Sequence, residues 1–453
     1  MYIVVAGAGA GKTSSMAELV ISRLKEITDN KIIYVITYTN AARDRIKEKV
    51  LENEGCIPNL LKIETIHSFL LKEVIYPFNH LVYGAQYKSA SQIPLHPKPA
   101  FKAIKKKELR REHILHVEDV TKTAKHLLCG KNKDTEKIKH RRNNALKMLS
   151  RYLDSIYVDE AQDMDKDFSE VLTMLANYNI NVNLIGDPKQ DLRNRAAFRD
   201  IIAGDLSVDY KSENHRCPSL HVDFSNSFIS KAEHQTSTKE EGTLRYLLES
   251  NSTIQEDIKC AKYDLAYIYQ RNDRFKTHRE DVTKTEEQLS YELTVLARKA
   301  SSVKQNNLNQ VVYVLKKKTV NSIKRGIPTY KIFSGLEKEL TLSLDKYDKG
   351  KIGSAVNAYH SALSSEPGIL VDSIDAIKGL EGYNCLFIIS TQLAPYLFKE
   401  VDDYNKMRNY LYVALTRSIR DLTMLLTTEV EKKYGHKYIH EQLNKLGIAE
   451  LKT

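Results

Sequence analysis

The chain has 453 residues, with 69 Lys and Arg against 58 Asp and Glu, a net charge of +11 at neutral pH. That length calls for two or more domains, and the charge suits a polyanionic partner. No apolar run reaches the length of a membrane span, and the five scattered cysteines (Cys56, Cys129, Cys217, Cys260, Cys385) fit neither a zinc site nor a disulfide framework. A cytoplasmic protein without a membrane partner is expected, and the first strand starts too early to leave room for a signal peptide.

In chain order, a short apolar strand comes first and runs into Gly7, Ala8, Gly9, Ala10, Gly11, Lys12, Thr13 and Ser14, where a helix begins. This is a P-loop. Its backbone N–H groups would cradle phosphate oxygens at the helix N-terminus. Lys12 would reach the β- and γ-phosphates of ATP, and Thr13 would hold Mg²⁺. Small residues are needed because the backbone itself must approach the ligand.

Residues 32–36 read as a core strand. Residues 101–150 carry fifteen Lys and Arg against six Asp and Glu. Lys105, Lys106, Lys107, Arg110, Arg111, Lys137, Lys139, Arg141 and Arg142 are their densest parts. Such clusters bind a phosphate backbone without reading sequence, or form a solvated helical face. The next apolar strand ends in Asp159, Glu160, Ala161, Gln162 and Asp163. A carboxylate at a strand end opposite the P-loop suits Mg²⁺, so Asp159 takes that role with Thr13. Glu160 is the candidate general base. Residues 180–185, 369–371 and 386–389 read as further strands. Between them, either residues 267–270 or residues 293–298 form another, and residues 271–288 read as an exposed loop or helix. Alternating strands and helices imply an α/β chain with parallel sheets.

The segment DEAQD at 159–163 has the form of motif II in superfamily 1A helicases, the UvrD/Rep/PcrA group. Further stretches resemble that family's motifs in order: TYTNAAR at 37–43, TIHSF at 65–69, IGDPKQ at 185–190, ENHR at 213–216, SIDAIKGLE at 373–381 and YVALTR at 412–417. The resemblance implies two RecA-like P-loop lobes, a basic helical insertion in the first and a strongly reduced insertion in the second. Residues 1–75 and 151–205 would form the first lobe, 76–150 the nucleic-acid-contacting insertion, 206–335 and 366–453 the second lobe, and 336–365 the reduced insertion. By the same resemblance Gln190 senses the γ-phosphate, Arg216 and Arg417 act as arginine fingers, and His215, Gly379 and Glu381 touch the nucleotide. Thr37, Tyr38, Asn40, Thr65, His67, Arg195 and Ser373 would contact single-stranded or tailed DNA.

Four departures stand out. His215 replaces an adenine-stacking Tyr, and almost no chain precedes the P-loop to read the base, so base selection is expected to be loose. Gln190 is followed by Asp191, Leu192, Arg193, Asn194 and Arg195, without the family's aromatic pair. Asp375 stands where the family has a DNA-contacting His. Residues 326–335 resemble the segment before the large second insertion, yet motif V follows within a few dozen residues. The resemblance implies an ATP-dependent translocase or helicase with 3′-to-5′ polarity. The alternative is a DNA-responsive ATPase subunit that regulates or recruits a partner nuclease. In build, the chain is similar to the short UvrD-like subunits of bacterial anti-phage systems, such as that of Gabija.

Overall fold

The structure is a computed structural model that describes residues 1–204, 207–259, 262–277, 282–303, 307–363, 369–401, 403 and 405–451. Cys260, residues 278–281 of the hydrophilic stretch and residues 364–365 of the expected short insertion lie outside them. Two compact units are present. One comprises Met1–Gln92, Pro99–Tyr269 and Ser373–Thr453, and the other Ile93–Lys98 and Gln270–Asp372.

The first unit holds two large parallel sheets and two short two-stranded ones, Ser89–Ser91 with Ile114–His116 and Glu213–Asn214 with Thr236–Ser237, among the described residues. In the first, Leu61–Thr65, Ile32–Thr37, Leu153–Val158, Asn181–Gly186, Tyr2–Ala6 and Val208–Lys211 lie side by side. Alternate side chains point to opposite faces. Val4 and Ala6 therefore pack with Met16, Ala17 and Val20 of the helix Lys12–Glu26, while Ile3 and Val5 face a separate core on the other side. The second sheet runs Leu265–Ile268, Gly382–Ile389, Ser418–Leu426, Thr243–Leu248 and Ala449–Glu450, around a core that includes Tyr267, Phe387 and Met424. Local chemistry sets the helix ends. The Thr39 side chain accepts from the Ala42 N–H at 3.1 Å to start Asn40–Glu54, and Gly55 at φ 72° ends it.

Three features bear on the expected division of the chain. The strand Val208–Lys211, read as second-lobe sequence, pairs with Ile3–Ala6 and extends the first sheet, because its register matches β-pairing there (Ile3 with Val208). The stretch 76–150, read as an insertion in the first lobe, packs on that lobe's sheet. Its helices Val120–Leu128 and Glu136–Tyr152 bury Leu127, Leu128, Leu146 and Leu149 in the same core as Ile3, Val5 and Ile156 of the sheet. Finally, the described part of 336–365 belongs to a larger helical group. Helices Val282–Lys299, Leu308–Lys324, Thr329–Leu340 and Lys346–Leu363 form a bundle of the second unit around Leu293, Leu315, Ile332, Leu336 and Val356. Residues 293–298 lie in its first helix, so the strand left open between two segments is Leu265–Ile268. Within the second unit, Phe275–Thr277 also pairs in parallel with the chain at Ile369.

One ion pair fastens the P-loop helix to the sheet. Arg23 grips Asp154 through two bonds, Nε to Oδ2 at 2.9 Å and Nη2 to Oδ1 at 2.6 Å. Burial raises the Asp154 carboxyl, but the guanidinium outweighs it and holds the group below its ordinary value. The pair therefore stabilises the fold fully above the ordinary carboxylate range and is lost as pH falls through the lower native value. Arg23 is one-third exposed, so Arg23→Leu should cost about 1–2 kcal/mol at pH 7. In melting curves the gap from wild type should close below about pH 4. A gap that persists in acid would show that packing, not the charge pair, carries the effect.

Candidate nucleotide site

The strand Tyr2–Ala6 delivers the loop, which turns through Gly9 (φ 72°) and Gly11 (φ 69°) before the helix starts at Lys12. Both angles favour glycine. At Gly9 there is a second reason: a Cβ would lie 2.4 Å from Asn214 Oδ1 and 2.7 Å from Arg216 Cβ. The segment around His215 is thus laid directly on the loop, and the His215 N–H donates to the Gly9 carbonyl at 2.9 Å. Lys12 Nζ donates to the carbonyls of Gly7 at 3.1 Å and Ala6 at 3.3 Å.

A cleft of about 330 Å³ opens here. Of the sequence-expected residues it brings together Gly9, Ala10, Gly11, Lys12, Thr13, Ser14, Glu160, Gln190, His215, Arg216, Gly379, Glu381 and Arg417. Gly7, Ala8 and Asp159 are not in its lining. Arg45, Lys239 and Ile419, which no motif pointed to, are. Arg45 also donates to the Gly379 carbonyl at 3.3 Å.

Asp159 is buried just beyond the strand Leu153–Val158, and its Oδ1 accepts from the Glu160 N–H at 2.9 Å. Burial and the adjoining Glu160 charge raise its carboxyl, with Lys12 acting against them. For Glu160, burial is outweighed by Lys12, Lys378 and a hydrogen bond from Gln162 Nε2, and the group sits below its ordinary value. Glu160 takes a left-handed backbone, φ 54°, which costs a non-glycine residue energy and recurs at working sites. A threonine hydroxyl and a buried carboxylate are the hard oxygen donors Mg²⁺ prefers, so Thr13 and Asp159 fit that ion. The glycine loop and Lys12 likewise fit a nucleotide polyphosphate.

Gln190 is buried, and its Nε2 donates to Asp187 Oδ2 at 2.9 Å. The other Asp187 oxygen meets Lys189 Nζ at 3.0 Å, a fully buried pair. Gln162 ties this turn to Glu160, accepting from the Asp187 N–H at 2.9 Å. On the side of the second sheet, Arg216 Nε donates to Glu381 Oε2 at 2.5 Å. Arg417 is 1% exposed, and its guanidinium donates to Val413 O, Thr416 Oγ1 and Leu380 O. His215 is exposed, with its ring 3.1 Å from Thr238 Oγ1 and 3.3 Å from Glu213.

Residues 1–194 match the AAA domain family. A stretch of 99 residues is 31% identical to an ATP-dependent helicase/nuclease subunit of Clostridium kluyveri, covering 17% of this chain and 8% of that protein. The chain thus matches only a small part of that relative's length. Among solved structures, the Arterivirus nonstructural protein 10 (helicase) aligns over 94% of this chain and 59% of its own, at 10% identity and a TM-score of 0.38. Its complex with DNA aligns with a TM-score of 0.38 at 9% identity, over 93% and 60%. The AAA match and the P-loop geometry together support a nucleotide-hydrolysing α/β protein.

The residues expected at nucleic acid are placed as follows. Thr37 and Thr65 are register partners at the ends of adjacent strands. Thr37 is buried and donates to the Thr39 carbonyl, Thr65 caps the turn at Ser68, and Asn40 is exposed at its helix start. Tyr38 and His67 each lie within electrostatic reach of Asp165 and Arg195. The Tyr38 ring is partly exposed, while its hydroxyl is buried without a hydrogen-bond partner. Burial pushes the His67 imidazole below its ordinary value, so at neutral pH it is uncharged. Arg195 donates to the Asp163 carbonyl. Ser373 is buried and accepts from the Ala376 N–H. Asp375 accepts from the Tyr410 hydroxyl at 3.0 Å, which fixes where this unexpected acid points.

The basic stretch is partly neutralised. Arg142 is buried, ion-paired with Asp134 and bonded to the Leu127 carbonyl, so it is a core anchor and not a surface cation. Lys106 and Arg110 pair with Asp119, and Lys139 with Glu136. Lys107, Arg111, Lys137 and Arg141 are exposed. No helix among the described residues is long and apolar enough to cross a membrane.

Proposed function

We propose that this chain is an ATP-driven motor on single-stranded or tailed DNA, of the UvrD-like type. One observation carries the reading: the P-loop, Glu160 and Gln190 from the first sheet share one cleft with Arg417, which precedes a strand of the second sheet, and with Arg216, which follows the short strand Glu213–Asn214. Phosphoryl transfer asks a protein mainly for positioning and charge stabilisation. A bound ATP·Mg²⁺ would supply the transferable phosphoryl group. Lys12 and the loop amides would hold its phosphates, Thr13 and Asp159 the ion. Glu160 would take the proton from water, and the two arginines would meet the developing charge. Because Arg417 comes from the second sheet, hydrolysis would follow the closing of that sheet on the first.

The helicase similarity of the Clostridium kluyveri protein supports the same class, and Tyr38, His67 and Arg195 offer a ring, an imidazole and a cation for a strand. The test is ATP hydrolysis by the purified chain with and without single-stranded DNA at two salt concentrations, followed by strand displacement on tailed duplexes of either polarity. Stimulation by DNA that weakens with salt is expected. Hydrolysis indifferent to DNA would rule out the motor.

A further inference from the structure

Between the P-loop and Gln190 lies a group of buried polar side chains that the phosphoryl-transfer chemistry leaves unused. The Tyr412 hydroxyl accepts from the Ala8 N–H at 3.0 Å. It also lies 3.0 Å from Gln235 Oε1 and 3.2 Å from Asp187 Oδ2. Gln235, 4% exposed, donates through Nε2 to the Ala8 carbonyl at 3.1 Å. Its amide lies so flat on the loop that a Cβ at Gly7 would sit 2.3 Å from it. Tyr412 belongs to the helix Lys406–Leu415, in the core of the second sheet.

Two consequences follow from donor and acceptor counting. Both polar groups of the Ala8 residue are taken by Tyr412 and Gln235, so that stretch of backbone cannot rotate without breaking two buried bonds. A tyrosine hydroxyl has one proton, and here two acceptors compete for it. When the proton goes to Gln235, the amide is fixed against the loop. When it goes to Asp187, it adds to the bonds that Gln190 and Lys189 already make there. The hydroxyl is thus a junction with two arrangements, one leaning on the P-loop and the other on the carboxylate that holds Gln190.

We infer that Gln235 and Tyr412 are positioning residues for the nucleotide phosphates: they set the conformation of the P-loop from the second-sheet side and join it to Gln190. The inference rests on the nucleotide-binding reading. It concerns how the loop is held, and it does not depend on any action on DNA. Neither residue lines the phosphate-facing cleft, so neither is a catalytic residue.

The test uses Gln235→Met, which keeps length and volume, Tyr412→Phe, which keeps the ring beside Lys189, and the double variant. Binding of a fluorescent ATP analogue, melting temperature, and amide exchange of the N-terminal peptide spanning the P-loop without nucleotide are measured on each. Each single variant should bind the analogue about 5- to 30-fold more weakly, the fold-change for loss of one or two buried hydrogen bonds. Its P-loop peptide should exchange faster. The double variant should lose less than the sum of the two single losses, because both changes break the shared bond between the Tyr412 hydroxyl and the Gln235 amide. Unchanged affinity and exchange in a normally melting single variant would overturn the inference, as would fully additive losses. A wild type that binds no nucleotide would defeat the functional reading, and the exchange data would still decide the inference.

Discussion

Glu160→Gln should lower ATP hydrolysis by about 10²- to 10⁴-fold, the range for a lost general base. Nucleotide affinity should stay within about threefold, because the cradle of Gly9, Gly11 and Lys12 is untouched. The substitution is close in shape, and the Gln162 amide that bonds the wild-type carboxylate still finds a carbonyl oxygen to donate to. The left-handed backbone at this position makes a near-isosteric change the right probe, since a bulkier or β-branched residue would confound chemistry with strain. Single-turnover hydrolysis beside equilibrium binding separates the two quantities. A parallel fall in both would mean that Glu160 helps hold the nucleotide and is not the base.

The two arginines should fail differently. Arg216→Ala should reduce turnover by about 10³-fold or more if it meets the transferred phosphoryl group. It should barely change the melting temperature, since its partner Glu381 is half exposed and can rehydrate. Arg417→Ala should lose comparable turnover and also stability, by about 2–3 kcal/mol. Its buried guanidinium bonds the Val413 and Leu380 carbonyls and the Thr416 hydroxyl, and its removal loses all three bonds and leaves a space in the interior. Comparing turnover with thermal melting for both variants, with Arg417→Lys as a third, tests this. Equal melting losses for Arg216 and Arg417 would contradict the assignment of their surroundings.

Much of the cleft was legible in the sequence because its parts are local. A strand, a glycine turn and a helix start within a dozen residues impose their own geometry, and the same holds for the strand ending in Asp159 and Glu160. What the sequence did not reveal arrives from a distance. Gln235 sits in a polar stretch with no periodicity, and only the packing of Gly7 against it shows its place. Arg45 lies on an exposed-looking helix, yet bonds the chain at Gly379. Arg142 reads as one more cation in a basic run until Asp134 and the Leu127 carbonyl are seen around it. The stretch 326–335 is instructive in another way. A short resemblance there hides the spacing of Ile332, Leu336 and Leu340, four residues apart and buried on one face of a helix.

The shared core of the inserted helices and the first sheet bears on any attempt to re-engineer this chain. Leu127, Leu146 and Leu149 are interior to the ATP-site lobe as much as Ile156 is. Excising 76–150 to make a minimal ATPase would strip one face of the sheet, and a chimaera with crossovers at its borders would confront two cores that never evolved together. A graft confined to the exposed helix Pro99–Arg111, where only Leu109 is buried, leaves that interior whole. That helix is therefore the part of the inserted stretch that can be exchanged without opening the core.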